Sequence, residues 1–554
     1  MKAAGRMFYY NRCNTPKQIP SADPRWTDDT SFDKPLQDYN CRYVYDRENV
    51  NLEKDLSGGW FDAGDYNKYV TFASNVIHDL LSAYEENPGA FTDQWNIPES
   101  NNSIPDIIDE VIWELEWMKK MQNDDGSVHI KMGSIDHSDN AGSPPSVNSD
   151  RRYYGPECSS AAITVAGVFA HAAVVFRTIE GLEGEAATLV NLSRISWQHV
   201  SPLLSSNNLD TQCDDGTIKA GDADRSVEDQ RQEALIAAAY LFIISGDSEY
   251  ETYLINHIND ATPISTTWWG PYTNSTNEAL LRFATYSNAN ANLANTILTS
   301  PFNHVNQSGD PFYGFNDEDL YRSYVPSWAY HWGSNNPKAQ FGILNLLMTK
   351  YGIVTEGNES TFLQKAEEQL HYFHGVNPLN MVYLSNLYAY GAENCANEMY
   401  HIWFYDDTKY DHALNSTHGP APGYVVGGAN SSFSISDISP PSGQPAQKSY
   451  RDWNTGWPEN SWEITEPAIY YQSAYIRLLA NYARPQSTTS LEPERNEALD
   501  ISVFPSPTND FVTVLECPNH AMIKILNNNG QMIKSVKADG PEFRISLKDL
   551  SPGI

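Results

Sequence analysis

The chain has 554 residues, which predicts roughly two to four domains, and 40% of them are apolar, enough for a packed interior and too many for a disordered protein. A formal charge of −34 argues against nucleic acid and anionic membrane as partners, since both would repel it. The charge fits a soluble protein acting on a neutral polymer, and 14 Trp with 33 Tyr fit a carbohydrate surface as well as a core.

In chain order, Met1 leads into Lys2-Ala3-Ala4-Gly5-Arg6, which has no apolar signal-peptide stretch. It reads as the first helix, near 5–13, of a domain already under way, with sequence expected upstream. Cys13 and Cys41 flank a loop and read either as a disulfide or as two buried thiols. Together with Cys158, Cys213, Cys395 and Cys517 they form no CxxC pair, so zinc is not expected. The next loop is the most informative segment: Gly58-Gly59-Trp60-Phe61-Asp62-Ala63-Gly64-Asp65-Tyr66. Glycines allow turns that fix two acids outside a helix, and the flanking aromatics suit sugar rings. The residues alone leave three readings open: a general-base water site, an Asx turn, or a calcium loop, though EF-hand spacing is missing.

Helical spacing dominates up to about residue 484. It is clearest after Pro105, where Ile107, Ile108, Val111, Ile112, Leu115, Met118 and Met121 recur at three- and four-residue steps until Asn123-Asp124-Asp125-Gly126. Similar periods lie near 70–86, 159–178, 186–203, 228–245, 338–352, 361–374 and 465–482, with shorter ones near 249–259, 277–284 and 289–298. No apolar run approaches the roughly 20 residues of a membrane span, so no membrane insertion is expected. About a dozen helices joined by long Gly-, Pro- and aromatic-rich loops predict a helical scaffold whose loops build a cleft. Residues 485–498 read as a linker and 499–554 as a small β module. Its strands are expected near 501–504, 511–515, 522–526 and 532–536, around the turn Asn527-Asn528-Asn529-Gly530.

Glycosidic hydrolysis needs a proton donor as well as a base. The block Trp453 to Gln472 holds three glutamates, of which two, Glu463 and Glu466, lie at a helix start among tryptophans. An acid there serves either the helix dipole or, in a drier setting, as a protonated donor.

With these residues in hand, residues 1–484 resemble glycoside hydrolase family 9, the inverting cellulases and related β-glucanases. The Asp62-Ala63-Gly64-Asp65 loop is similar to the family's base loop, which implies Asp65 as the base and Asp62 as the residue holding the water. The Trp462-Glu463-Ile464-Thr465-Glu466 block implies Glu466 as general acid, with Glu463 the neighbour most easily confused with it. Tyr330-His331-Trp332-Gly333 resembles the block whose Trp stacks on a glucose unit, and Gly419 to Gly428, containing Tyr424, resembles a loop near the active site. The resemblance implies an all-α (α/α)6 barrel, followed here by a small, incomplete all-β module. The family's His-His-Arg run is replaced by Tyr400-His401-Ile402-Trp403, so only His401 carries over, as a sugar contact or as a packed core histidine. His137, Tyr66 and Trp268 complete the expected substrate contacts, Trp268 with a core role as its alternative.

The implied activity is inverting hydrolysis of internal β-1,4-glucosidic bonds in cellulose or soluble β-glucan. The alternatives are an exo-acting cellobiohydrolase, a mixed-linkage glucanase or xyloglucanase, or a non-catalytic glycan-binding protein. No cofactor is required. A structural calcium, common in the family, is compatible with Asp222, Asp224, Glu228, Asp229 and Glu233, which equally read as a solvated face. A monomer is expected. The C-terminal module resembles the sorting domain of type IX secretion, on Phe504-Pro505-Ser506-Pro507-Thr508-Asn509-Asp510 and Leu550-Ser551-Pro552-Gly553-Ile554, cut off before a final strand. It implies a secreted or cell-surface protein.

Overall fold

Twelve helices of ten residues or more occur among the described residues of the computed structural model, and each coincides with a period predicted above. The structure describes residues 1–135, 142–307 and 319–484, then 502–504, 511–515, 522–526, 532–538, 540 and 542–548. Two units divide at Gln486 and Ser487. His137, the whole of the expected linker, the Pro505–Asp510 segment, the turn at 527–530 and the last residues lie outside the described residues.

Six helices of the first unit close a ring. Val70–Glu86 packs on Ser159–Phe176, which packs on Val227–Ser245, then Asn274–Ala284, Asn335–Lys350 and Ile469–Tyr482, which returns to the first. Each ring helix is backed by one of the other six: Lys2–Asn11, Asp106–Met121, Glu183–Ser206, Ser248–His257, Ala291–Gln307 and Glu359–Phe373. This is an (α/α)6 barrel. Inner and outer helices differ as their surroundings require. The outer helix 183–206 buries only one stripe, including Ala186, Leu189, Ser193, Trp197, Val200 and Leu204. The ring helix 159–176 buries all 18 of its residues. With a hydropathy of 1.8 it is long and apolar enough by composition to cross a membrane, contrary to the expectation above, but protein covers it on every side.

Charge also enters the ring. Arg477 pairs with Asp79 at 3.2 Å and with Glu86 and Glu278 at 2.6 Å, and Lys350 reaches Glu278 at 2.9 Å. These residues tie helices 70–86, 274–284, 335–350 and 469–482 together, and buried acids persist here because each has a cation.

Of the two readings left open for Cys13 and Cys41, the buried-thiol one holds. Cys158 is bonded to Cys213, while Cys13 and Cys41 are buried free thiols. The disulfide ties the start of helix 159–176 to the loop before helix 227–245. A four-stranded sheet, in the order 42–43, 153–154, 131–133, 68–69, braces the residues that follow Asp65.

The second unit holds the four expected strands and a fifth, Glu542–Ser546. Residues 542–546, 511–515 and 502–504 pair antiparallel, and 522–526 pairs with 532–537. Val514, Ala538 and Ile545 form its small core.

Candidate active site

Asp65, Ala220, Trp332 and Glu466 all lie in loops that lead into ring helices, so the site occupies the end of the barrel where those helices begin. A cleft of about 800 Å³ opens there. Asp62, Asp65 and Glu466 line it together with Tyr69, Phe72, Trp332, Tyr400, Trp457, Trp462 and Tyr470.

The base loop is held from both ends. Gly58 and Gly59 have φ of +99° and +74°, and a side chain on Gly59 would strike Trp117. The Trp60 N–H donates to Glu114 at 2.7 Å and the Phe61 N–H to the Asn11 carbonyl at 2.8 Å. Beyond Asp62, Asn67 acts as a hub. Its N–H donates to the Asp65 carboxylate at 2.6 Å and its carbonyl accepts from the Asp62 N–H at 3.1 Å. Its amide donates to the Lys219 carbonyl and accepts from the Ser134 N–H at 3.0 Å. Gly133 must lack a side chain, since a Cβ there would meet the Asn67 amide.

The two acid blocks meet directly, although about four hundred residues separate them. The Gly64 N–H donates to Glu466 Oε1 at 3.1 Å, and the Ile469 N–H donates to the Asp62 carbonyl at 2.9 Å. Glu466 follows the short helical turn Trp462–Thr465 and precedes helix 469–482. The break leaves it in extended backbone facing the cleft. Glu463 points the other way. It is buried, accepting from the Ser434 N–H at 3.0 Å and from the Ser434 hydroxyl. The Gly419–Gly428 loop supports this arrangement from behind: the Gly428 N–H donates to the Ile464 carbonyl at 2.9 Å, and a Cβ on Gly427 would sit 2.9 Å from that same oxygen.

Asp65 and Glu466 are half-buried, while Asp62 is buried and its Oδ1 has no hydrogen-bond partner. Burial, then the charges of Asp65 and Glu114, push the Asp62 carboxyl well above the usual carboxylate range, and Arg225 opposes them. The folded chain therefore keeps a proton that the unfolded chain sheds. The stability this confers is present at low pH and is lost as pH rises through the folded-state pKa. Asp62→Asn removes that titration. Its unfolding midpoint should be higher near neutral pH and should fall less as pH rises, while kcat drops roughly 10²-fold. Scanning calorimetry across pH checks it; an unchanged pH slope would contradict the assignment.

Three expected sugar contacts are placed beneath the cleft instead. Tyr66 is fully buried against Phe32 and Phe61. The Tyr424 hydroxyl donates to Asn11 at 2.9 Å in the core. His401 Nδ1 accepts from the Trp403 N–H at 3.1 Å, and burial pushes its imidazole down to about 3. It packs as a neutral core histidine, the alternative kept above. Trp268 is partly buried, packed over Gly270 away from the cleft lining. Of the expected sugar contacts that are described, Trp332 alone lines the cleft, 48% exposed. Sequence reasoning missed Tyr400 and Trp457. Trp457, 77% exposed, carried a signal: an aromatic between Gly456 and Pro458 in the acid block has no helical face on which to bury.

In the acidic stretch that reads either as a calcium site or as a solvated face, three carboxylates accept hydrogen bonds from their neighbours. Asp224 accepts from the Cys213 N–H at 2.8 Å, Asp229 from the Ser226 hydroxyl and Glu233 from the Ser74 hydroxyl. Among the described residues a tighter acid group is Asp93, Asp106 and Asp109, with ligand atoms within 4.8 Å of one another.

The model for glycosyl hydrolase family 9 matches residues 1–479. The chain belongs to glycosyl hydrolase family 9. A secretion-system C-terminal sorting domain matches residues 502–554, which marks the protein as secreted or cell-surface through type IX secretion. Among similar proteins, a cellulose 1,4-beta-cellobiosidase of Acetivibrio thermocellus is 26% identical over 537 residues, covering 88% of this chain. Endoglucanase D of the same organism is 26% identical over 454 residues, covering 79% of it. The alignments cover 57% and 63% of those two relatives, so this chain spans about three fifths of their length. A solved metagenome-derived family 9 endoglucanase superposes with a TM-score of 0.69 at 25% identity, covering 87% of this chain and 80% of its own.

Proposed function

We propose that this family 9 chain hydrolyses β-1,4-glucosidic bonds of cellulose or a related β-glucan with inversion, cutting inside the polymer. The observation that carries the proposal is the joining of the two acid blocks, Glu466 to Gly64, within one aromatic cleft that also presents Asp65. In the proposed reaction Asp65 takes a proton from water as that water's oxygen bonds to the anomeric carbon, with Asp62 holding the water. The bond from that carbon to the leaving oxygen breaks, and Glu466 gives the leaving oxygen its proton. The Gly64 N–H orients the Glu466 carboxyl for that transfer. The proton then returns from Asp65 to Glu466 through solvent. One copy of the chain supplies all three carboxylates, consistent with a monomer.

Cutting inside the chain is favoured by Trp332 and Trp457, which stand open to solvent along the cleft rather than enclosing a chain end. Cleavage from the chain end is the second reading, favoured by the likeness to a cellobiosidase. A panel of carboxymethyl cellulose, mixed-linkage glucan, xyloglucan and insoluble cellulose, with product lengths followed over time, separates them. A fast fall in viscosity with mixed oligomers is expected; cellobiose as the sole early product would favour the exo reading. Binding without reducing-sugar release on every glucan would leave only a glycan-binding role.

A further inference from the structure

We propose that Lys131 is a positioning residue for the general base. Its buried ammonium locks residues 214–221 against the strand that follows Asp65, and so fixes where that carboxylate stands. The proposal rests on the reading of Asp65 as the base given above.

Lys131 stands behind the cleft wall rather than in it. Its backbone pairs with Tyr69 in the sheet that braces the base loop. Its side chain forms a buried ion pair with Asp214. The same Nζ donates to the carbonyls of Ile218 at 2.8 Å and Gly221 at 3.2 Å, and it lies 5.6 Å from the centre of the Tyr69 ring. One cation thus gathers a turn that has its own reason to open. Ala220 and Gly221 are consecutive left-handed residues, with φ of +63° and +68°. Alanine disfavours that region, so the turn persists only because its surroundings hold it. The Cys158–Cys213 disulfide fixes the same segment at its start.

This turn is what the base strand leans on. Residues 67, 69 and 71 each reach it. The Asn67 amide donates to the Lys219 carbonyl, the Tyr69 hydroxyl to the Ala220 carbonyl and the Thr71 hydroxyl to the Ala223 carbonyl at 3.1 Å. The Lys219 N–H donates to the Ser134 carbonyl at 3.2 Å, and the Ser134 N–H donates back to Asn67. The fit is close: a Cβ on Gly221 would lie 2.9 Å from the Tyr69 hydroxyl. Asn67 then donates its own N–H to the Asp65 carboxylate at 2.6 Å. The path from Lys131 to Asp65 is therefore short and polar at every step. It runs through the carbonyls on either side of Lys219 and Ala220, then through Asn67.

Removing Lys131 alone would leave Asp214 buried and unpaired, so the main variant is Lys131→Met with Asp214→Asn, which takes away both charges. It should melt near the parent chain, yet lose about tenfold in kcat on cellohexaose with KM within about twofold. Once Asn67 shifts, Asp65 loses an N–H that favours its charged form. The acid limb of kcat/KM should then move to higher pH. Tyr69→Phe leaves the ion pair whole but frees the Ala220 carbonyl, and it should move the limb the same way. Amide hydrogen exchange in the double variant should quicken in 62–69 as well as in 213–224. Parent-like kcat and an unmoved limb in the double variant would overturn the proposal; if that variant does not fold, the same result in Tyr69→Phe would do so. A kcat loss that tracks the melting point with the limb unmoved, or exchange that quickens in 213–224 alone, would overturn it too. If the parent chain cleaves no β-glucan, the proposed activity fails, while the exchange pattern still decides whether Lys131 holds the base loop.

Discussion

Glu466→Gln should lower kcat on unactivated glucan by roughly 10³-fold while leaving the unfolding midpoint near that of the parent chain. A glutamine keeps an oxygen that can accept the Gly64 N–H, so the link between the two blocks survives and only the transferable proton is lost. The loss should shrink on aryl glycosides with acidic leaving groups, which depart without protonation. Glu463 provides the internal control. Its carboxylate accepts from the Ser434 N–H and hydroxyl, so Glu463→Gln should cost stability before it costs chemistry. Initial rates on cellohexaose and on a dinitrophenyl glycoside, with melting curves for both variants, check the pair. Near-normal glucan hydrolysis by Glu466→Gln would sink the assignment.

Gly64→Ala should cost roughly 10²-fold in kcat, although it adds one methyl group and removes no acid. The new Cβ would lie 2.5 Å from the Tyr400 carbonyl and 2.9 Å from Glu466 Oε1. Neither neighbour yields easily. The backbone of Tyr400 is pinned by the Ile402 N–H donating to the Gly64 carbonyl at 2.8 Å, and Glu466 is held by Gly64 itself. The added atom therefore pushes the acid and the base loop apart. KM should change less than kcat, because the new Cβ meets Tyr400 alone among the cleft's aromatic residues and leaves Trp332, Trp457 and Trp462 untouched. Overpacking should also lower stability by about 1–3 kcal/mol. Steady-state kinetics with a thermal melt checks this; full activity would show that the contact between the blocks does not set the chemistry.

The helices were legible because burial against two neighbours imposes a period that survives in one dimension. All twelve lie where apolar residues recur at three- and four-residue steps, even Asn274–Ala284, whose period is short. The resemblance pointed to the acids, and the fold shows how they meet: Glu466 faces the cleft because the chain leaves its helical turn at Thr465 and re-enters a helix at Ile469. Side-chain direction in loops was less legible, since a loop has no period to say which way a residue faces. Tyr66, Tyr424 and His401 sit in site-forming segments yet turn into the core, where their rings pack on one another's neighbours. Cysteine pairing was equally hidden. Cys13 and Cys41 are closer in sequence, but the bond joins Cys158 to Cys213 across a separation of 55. Ala220 and Gly221 gave no sign of lining the cleft. They do so because the carbonyls of Lys219 and Ala220 accept from Asn67 and Tyr69, contacts set by the tertiary fold alone.

The central claim, water activated by Asp65 opposite a proton from Glu466, is tested most directly by the anomeric configuration of the first product. Proton NMR of cellohexaose digestion at early times should show the new reducing end appearing as the α-anomer and only then mutarotating, as single displacement by water requires. A β-anomer appearing first would mean a covalent intermediate and would contradict the account.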